Sequence, residues 1–190
     1  MQLLEDKIRE RGKIGEGDVL KVDNFLNHQI DVELVSKLGE EFYRLYKDCN
    51  VQKVLTIEAS GIGIACLTAQ YFHVPVLFAK KTKTNNIYSD VYTSSVESYT
   101  HKKHYDIVVS KEFLHPGERI LIIDDFLAKG SALTALISLV KDAGAEVVGA
   151  GIAIEKAYQE GGALIRNQGV RVESLARIRS MSVDGGIEFC

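Results

Sequence analysis

The chain has 190 residues, 46% hydrophobic and 26% charged, which is ample for one apolar core and too apolar for a disordered chain. A formal net charge of −3 excludes the global basic field that phosphate-backbone binding depends on, so no nucleic-acid partner is expected. The longest apolar runs, Ile120 to Ile123 and Gly149 to Ile154, fall far short of the ~20 residues of a membrane helix, and no membrane partner is expected. In chain order, MQLLEDKIRERGK mixes charge with aliphatics at helical spacing and lacks the basic head and apolar run of a secretory signal, so a cytoplasmic location is expected. Asp31 is the predicted N-cap of VELVSKLGEEFYRLY, whose Leu34, Val35, Leu38, Phe42, Leu45 and Tyr46 share one face. Strand-like runs then recur: KVLTIEA (53–59), VPVLFAK (74–80), RILIIDD (119–125), EVVGAGIAI (146–154) and VRVESLARI (170–178). They are nearly unbroken and rich in Val and Ile, the pattern of strands buried on both faces of a parallel sheet. GIGIACLTAQYF (61–72) and SALTALISLVKDAG (131–144) read as intervening helices, the second closing at Gly144. NIYSDVYTSSVESYTHKKHYDIVV (86–109) departs from this rhythm and reads as an antiparallel hairpin or a flap, with HKKH a solvated loop.

Strand and helix in alternation predict one α/β domain over residues 1–190, with ligands at the carboxyl ends of the strands. Three cysteines, Cys49, Cys66 and Cys190, without CxxC spacing argue against a disulfide framework and a zinc site; they are read as free thiols, Cys66 as a packing residue on its apolar helix. The histidines offer no ligand pair or triad.

ILIIDDFLAKGSA (120–132) is the most informative stretch. Four aliphatic residues predict a buried strand, Asp124 and Asp125 are expected to emerge at its carboxyl end, and Gly130 lets the chain turn closely around a ligand ahead of a helix beginning near Ser131. Outward-facing amides of Ala128 to Ala132, together with the positive end of that helix, suit a phosphate. Two carboxylates beside it suit the hydroxyls of a sugar, bound directly or through water or Mg2+.

These thirteen residues resemble the phosphoribosyl pyrophosphate (PRPP) signature of the type I phosphoribosyltransferases. LKVDNFLNHQID (20–31), TIEASGI (56–62), VPVLFAKK (74–81), IAIEKAYQ (152–159) and VESLARI (172–178) extend the resemblance over nearly the whole chain, toward the members of that family that act on xanthine. It implies a mainly parallel central sheet flanked by helices, a small hood from about residues 1–30 and the C-terminal part, and a flexible hairpin or flap. It further implies transfer of the 5-phosphoribosyl group from PRPP to xanthine, with Mg2+ accompanying PRPP and no metal site of the protein's own, in a homodimer. By resemblance, Ala128, Lys129, Gly130, Ser131 and Ala132 cradle the 5'-phosphate, and Asp124 and Asp125 face the ribose. Glu58, Ala59, Ser60 and Gly61 turn toward pyrophosphate with Lys80, Lys81 and Lys83, while Leu20, Asn27 and Lys156 hold the base. Lys156 is purely a donor and so suits the 6-oxo group of xanthine, guanine or hypoxanthine rather than the 6-amino group of adenine. Guanine or hypoxanthine transfer is the nearest rival reading, and a PRPP-binding regulator a more distant one. Lys129 stands where related enzymes carry Asn or Thr, and Gly63-Ile64 where close relatives carry Ala-Pro.

Overall fold

The computed structural model describes residues 1–17, 19–82, 90–98 and 103–190. In chain order these form α1 (Gln2–Arg11), β1 (Lys13–Gly15), β2 (Val19–Lys21), α2 (Val32–Tyr46), β3 (Lys53–Ile57), α3 (Gly61–Phe72), β4 (Val76–Thr82), β5 (Val91–Ser98), β6 (Lys103–Ser110), β7 (Arg119–Leu127), α4 (Ser131–Asp142), β8 (Glu146–Lys156), α5 (Gly161–Asn167), β9 (Val172–Ser182) and β10 (Gly186–Phe189). The main sheet has the order β10-β9-β8-β7-β3-β4-β6-β5 among the described residues. Its five central strands, β9 to β4, are parallel to one another, and the strands at both edges are antiparallel. A mainly parallel central sheet flanked by helices is the architecture that the resemblance implies.

The unbroken apolar runs are explained by burial on both faces. Leu121 and Ile123 of β7 pack under α1, α2 and α3 with Leu4, Ile8, Leu38, Phe42 and Ile64. Ile120 and Ile122 pack the other way, with Leu133, Leu136 and Leu139 of α4 and Ile165 of α5. α2 begins and ends where its pattern predicted, and the Leu34 amide donates to Oδ1 of Asp31 at 3.1 Å, the expected cap. α4 ends at Asp142, with Gly144 two residues on in the left-handed region at φ +69°.

Several features depart from the expected pattern. β7 runs two residues past the acid pair, to Leu127, so Asp124 and Asp125 lie within the strand. Cys66 is exposed on α3 rather than packed, although all three cysteines are free thiols as expected. As expected, by contrast, the described parts of 86–109 form an antiparallel hairpin, β5 with β6, which extends the main sheet beside β4. The rest of that segment, and Lys83 ahead of it, lie outside the described residues.

Near the amino end, β1 and β2 form a separate antiparallel ribbon, followed by a single π turn, Asp23–Asn27, closed by the His28 amide on the Asp23 carbonyl at 3.2 Å. Val22, Phe25 and Leu26 anchor that turn in the core. The Met1 amino group donates to the Leu175 carbonyl, and the Arg9 guanidinium lies 4.6 Å above the Phe189 ring, so α1 is seated on β9 and β10.

Candidate functional site

Parallel strands deliver their carboxyl ends to one edge of the sheet, and the loops after β3, β7 and β8 meet there. After β7 the chain turns at Gly130, whose φ of +85° is costly for any residue with a Cβ, and enters α4 directly. The first intrahelical bond of α4 runs from the Thr134 amide to the Gly130 carbonyl at 2.8 Å, so the amides of Ser131, Ala132 and Leu133 precede the helical ladder and face its amino end. The Ala128 carbonyl, in turn, accepts from the Gly161 amide at 3.0 Å, which fixes the loop to the start of α5.

Beside this loop is a cavity of about 830 Å3, within the range of small-molecule sites. Ala128, Lys129, Gly130, Ser131 and Ala132 line one part of it, and Leu20, Asn27 and Lys156 another. Eight of the residues picked out from sequence, drawn from three distant segments, are thus brought into one cavity. The π turn presents Asn27 to this space, and Oδ1 of Asn27 is buried without a hydrogen-bond partner among the described residues. A buried carbonyl oxygen left in that state is costly, so it is an acceptor suited to a ligand N–H.

Asp124 and Asp125, Glu58 to Gly61, Lys80 and Lys81 are not among the residues lining this cavity; the acid pair immediately precedes Phe126 and Leu127, which are. Asp124 and Asp125 are only 4% and 9% exposed, and the Asp125 amide donates to Oδ1 of Asp124 at 3.0 Å. Burial, and then the charge of Asp125, push the Asp124 carboxyl well above the usual carboxylate range, while Lys81 acts in the opposite direction. Gly61 closes the approach from β3, because a Cβ there would stand 2.2 Å from Oγ1 of Thr56 and 3.2 Å from Oδ1 of Asp124. Gly61, the last residue of the loop Glu58 to Gly61, therefore lies directly against Asp124. Its Glu58–Ala59 peptide is cis. Glu58 accepts from the Lys81 amide at 2.6 Å, and its own amide donates to the Ala79 carbonyl at 3.1 Å, tying the loop to β4.

The two described lysines of β4 diverge, Lys81 toward Tyr105 and Lys80 toward Phe78. Lys81 has its Nζ 5.3 Å from the centre of the Tyr105 ring, and Tyr105 lines the cavity. Lys80 takes the opposite face, its Nζ 5.9 Å from the centre of the Phe78 ring. Lys81, not Lys80, thus shares a side with the acid pair.

A family model described as "Phosphoribosyl transferase domain" matches residues 21–172, most of the chain and all of the site residues just placed except Leu20. The chain belongs to the phosphoribosyltransferase family. A "Xanthine phosphoribosyltransferase" of Lachnoclostridium phytofermentans is 57% identical over 98% of this chain and 96% of that relative. One of Ruminiclostridium cellulolyticum is 52% identical over 100% and 99%. Among solved structures, an adenine phosphoribosyltransferase from Rhodothermus marinus has a TM-score of 0.74 at 22% identity, covering 93% of this chain and 98% of its own. An adenine phosphoribosyltransferase from Trypanosoma brucei, in complex with AMP, pyrophosphate and ribose-5-phosphate, has a TM-score of 0.77 at 19% identity, covering 92% and 79%. At such identities these two establish the shared phosphoribosyltransferase fold.

Sequence reasoning missed Tyr105, Phe126 and Gln159, which also line the cavity. Phe126 had a signal: it stands between the acid pair and the phosphate loop, where an aromatic ring has a natural use beside a flat ligand. Tyr105 had none, because it reaches the site only through the pairing of β6 with β4.

Proposed function

We propose that this phosphoribosyltransferase transfers the 5-phosphoribosyl group of PRPP to xanthine, giving xanthosine 5'-monophosphate and pyrophosphate. The observation that carries this reading is the single cavity in which the phosphate-type loop 128–132 faces Leu20, Asn27 and Lys156. A purine nucleotide has the same layout, a phosphate at one end and a planar base at the other. The names of the relatives at 57% and 52% identity support xanthine as the base.

In this reading, Ala128 to Ala132 bind the 5'-phosphate through loop amides and the amino end of α4. Asp124 and Asp125 receive the ribose hydroxyls, and the Glu58–Gly61 loop with Lys81 receives the pyrophosphate. Lys156 donates to an exocyclic oxygen of the base and Asn27 reads a neighbouring edge, while Leu20, Val96, Phe126 and Leu127 supply apolar walls for the rings. The bond from the anomeric carbon to the pyrophosphate oxygen breaks, a bond from that carbon to an imidazole nitrogen of the purine forms, and the nitrogen's proton is released. No protein nucleophile is required. The chain's contribution is to hold donor and acceptor in line and to offer positive charge where negative charge accumulates on the departing group.

Mg2+ enters with PRPP. Two adjoining carboxylates, both buried and one of them pushed toward its protonated form, are a donor set that fits a cation or sugar hydroxyls, whereas no cluster of three or more His, Cys, Asp or Glu side chains able to hold a metal occurs among the described residues. Asp124 and Asp125 are the residues that would hold the ion, which when bound neutralises charge on the pyrophosphate. We also take the whole chain as one domain with a hood from the first ~30 residues and the C-terminal strands, acting as a cytoplasmic homodimer. Exposed Ile30 and Val32 at the start of α2 support an interface there.

Incubation with PRPP, Mg2+ and, separately, xanthine, guanine, hypoxanthine or adenine, followed by measurement of pyrophosphate and nucleotide, tests the assignment. Preferential formation of xanthosine monophosphate is expected. A preference for guanine or hypoxanthine overturns the base reading, and tight PRPP binding without turnover of any purine overturns transfer altogether.

A further inference from the structure

Glu155, the residue before Lys156, is a charged residue only 1% exposed. Arg166 of α5 grips it with two parallel bonds, Nη1 to Oε1 and Nη2 to Oε2, each 2.8 Å. From β9, Ser174 donates to Oε2 at 2.6 Å and Arg177 Nε at 3.2 Å. Arg166 also donates to the Val172 carbonyl at 3.3 Å, so one guanidinium ties α5 to both β8 and β9. Paired, bidentate arginine bonding of this kind fixes direction as well as distance.

The first two residues of α5 are glycines, and each is needed against a different partner. A Cβ at Gly162 would stand 2.2 Å from Oε1 of Glu155 and 2.6 Å from Nη1 of Arg166. A Cβ at Gly161 would stand 2.3 Å from the Ala128 carbonyl oxygen and 2.6 Å from the Gly130 nitrogen. One glycine therefore sits on the ion pair and the next on the backbone of the phosphate loop. The chain of contacts runs from Lys156 through Glu155, Arg166 and the glycine pair to Ala128 and Gly130.

We infer that the Glu155–Arg166 pair and the Gly161–Gly162 start of α5 form a strut that sets the spacing between the phosphate loop and Lys156, making Glu155 and Arg166 positioning residues for the two halves of one nucleotide. The inference rests on the reading of the cavity given above. Its consequence is specific: a ligand that spans both halves gains from having both subsites held at the right separation, whereas a ligand occupying only the phosphate loop gains nothing from the strut. A stabilising role without positioning would affect both ligands alike, through the fraction of folded protein.

The test is calorimetric titration of the full chain with xanthosine 5'-monophosphate, which spans the cavity, and with ribose 5-phosphate, which does not. For Arg166→Met, nucleotide affinity is expected to fall about tenfold or more with ribose 5-phosphate affinity unchanged within about twofold. Arg166→Lys keeps the charge without the two-pronged geometry and is expected to recover only part of the loss. Ser174→Ala removes one bond and leaves Glu155 paired, so it keeps the question open to measurement if Arg166→Met fails to fold; about a threefold loss for the nucleotide alone is expected. Equal losses for both ligands, or none for either in both Arg166→Met and Ser174→Ala, would overturn the strut. Wild-type protein that binds neither ligand would overturn the cavity reading itself, and the strut with it.

Discussion

Gly161→Ala is the most exacting test of the phosphate loop, because its effect follows from three distances. The added methyl would lie 2.3 Å from the Ala128 carbonyl oxygen, 2.6 Å from the Gly130 nitrogen and 2.6 Å from the Lys129 carbonyl carbon. All three are backbone atoms and none can rotate away. Ordinary contact begins near 3.4 Å, so loop and helix must part by about 1 Å. Overpacking of this size costs about 1–3 kcal/mol, a fall in Tm of roughly 2–4 °C per kcal/mol for a chain this long. The catalytic loss is larger, since a 1 Å misplacement of a bound group lowers rate about 100-fold. Initial-rate kinetics at saturating xanthine should show kcat/KM for PRPP reduced by about that factor. Gly169→Ala is the matched control: Gly169 has φ +80° with nothing within 4 Å of a Cβ, so it should lose about 1–2 kcal/mol of stability and no activity. Kinetics within twofold of wild type for folded Gly161→Ala would refute the role of this contact.

Lys156→Met keeps the length of the side chain and removes its donors; a charged hydrogen bond contributes about 1.5–3 kcal/mol, so kcat/KM for xanthine should fall roughly 10- to 100-fold with PRPP binding intact, and near-normal kinetics would remove Lys156 from the base subsite. Acid stability gives a second check. Burial alone would raise the carboxyl of Glu155, but the bonds from Arg166 and Ser174 and the charges of Arg166 and Arg177 outweigh it and hold the group below its ordinary value of 4.5. A depressed carboxylate contributes stability that is present above pH 4.5 and is lost as pH falls through the folded-state value, so thermal melts of Glu155→Gln between pH 7 and 3 should lack part of the wild-type decline below pH 4.5; parallel curves would contradict this.

The parts of the fold that were legible in the sequence are those that a local pattern specifies. The all-buried β3 and most of β7 follow from nearly unbroken runs of apolar residues, and α2 from Asp31 and its apolar face. The acid pair shows where that reasoning stops. Two aspartates after Ile120 to Ile123 look like the end of a burial, because buried carboxylates are costly, yet β7 continues through them to Leu127. The π turn carrying Asn27 has no periodicity to betray it, since five residues make less than two turns of any helix. Glu155 is the hardest case: within IAIEKAYQ nothing reveals that a buried charge is balanced by Arg166, Ser174 and Arg177, residues 11 to 22 positions further on.

Topology explains why the candidate subsites fall in the order they do. The strand order β8-β7-β3-β4 places Lys156, the phosphate loop, the Glu58–Gly61 loop and Lys81 at successive carboxyl ends. With neighbouring strands about 4.8 Å apart, these four positions span roughly 14 Å. That is about the reach of a purine, a ribose and a pyrophosphate laid end to end, so the base and the leaving group belong at opposite ends and the anomeric carbon between them. The acid pair occupies β7, between the strand that carries Lys156 and the strand that leads into the Glu58–Gly61 loop, and in the proposed reading it meets the ribose and the charge that develops on it, which makes burying two carboxylates there intelligible. Stability alone would favour aliphatic residues at positions 124 and 125, continuing the run that precedes them. Their presence as acids within a strand therefore points to function, and Gly61 lets the chain after β3 approach Thr56 and Asp124 more closely than any residue with a Cβ could.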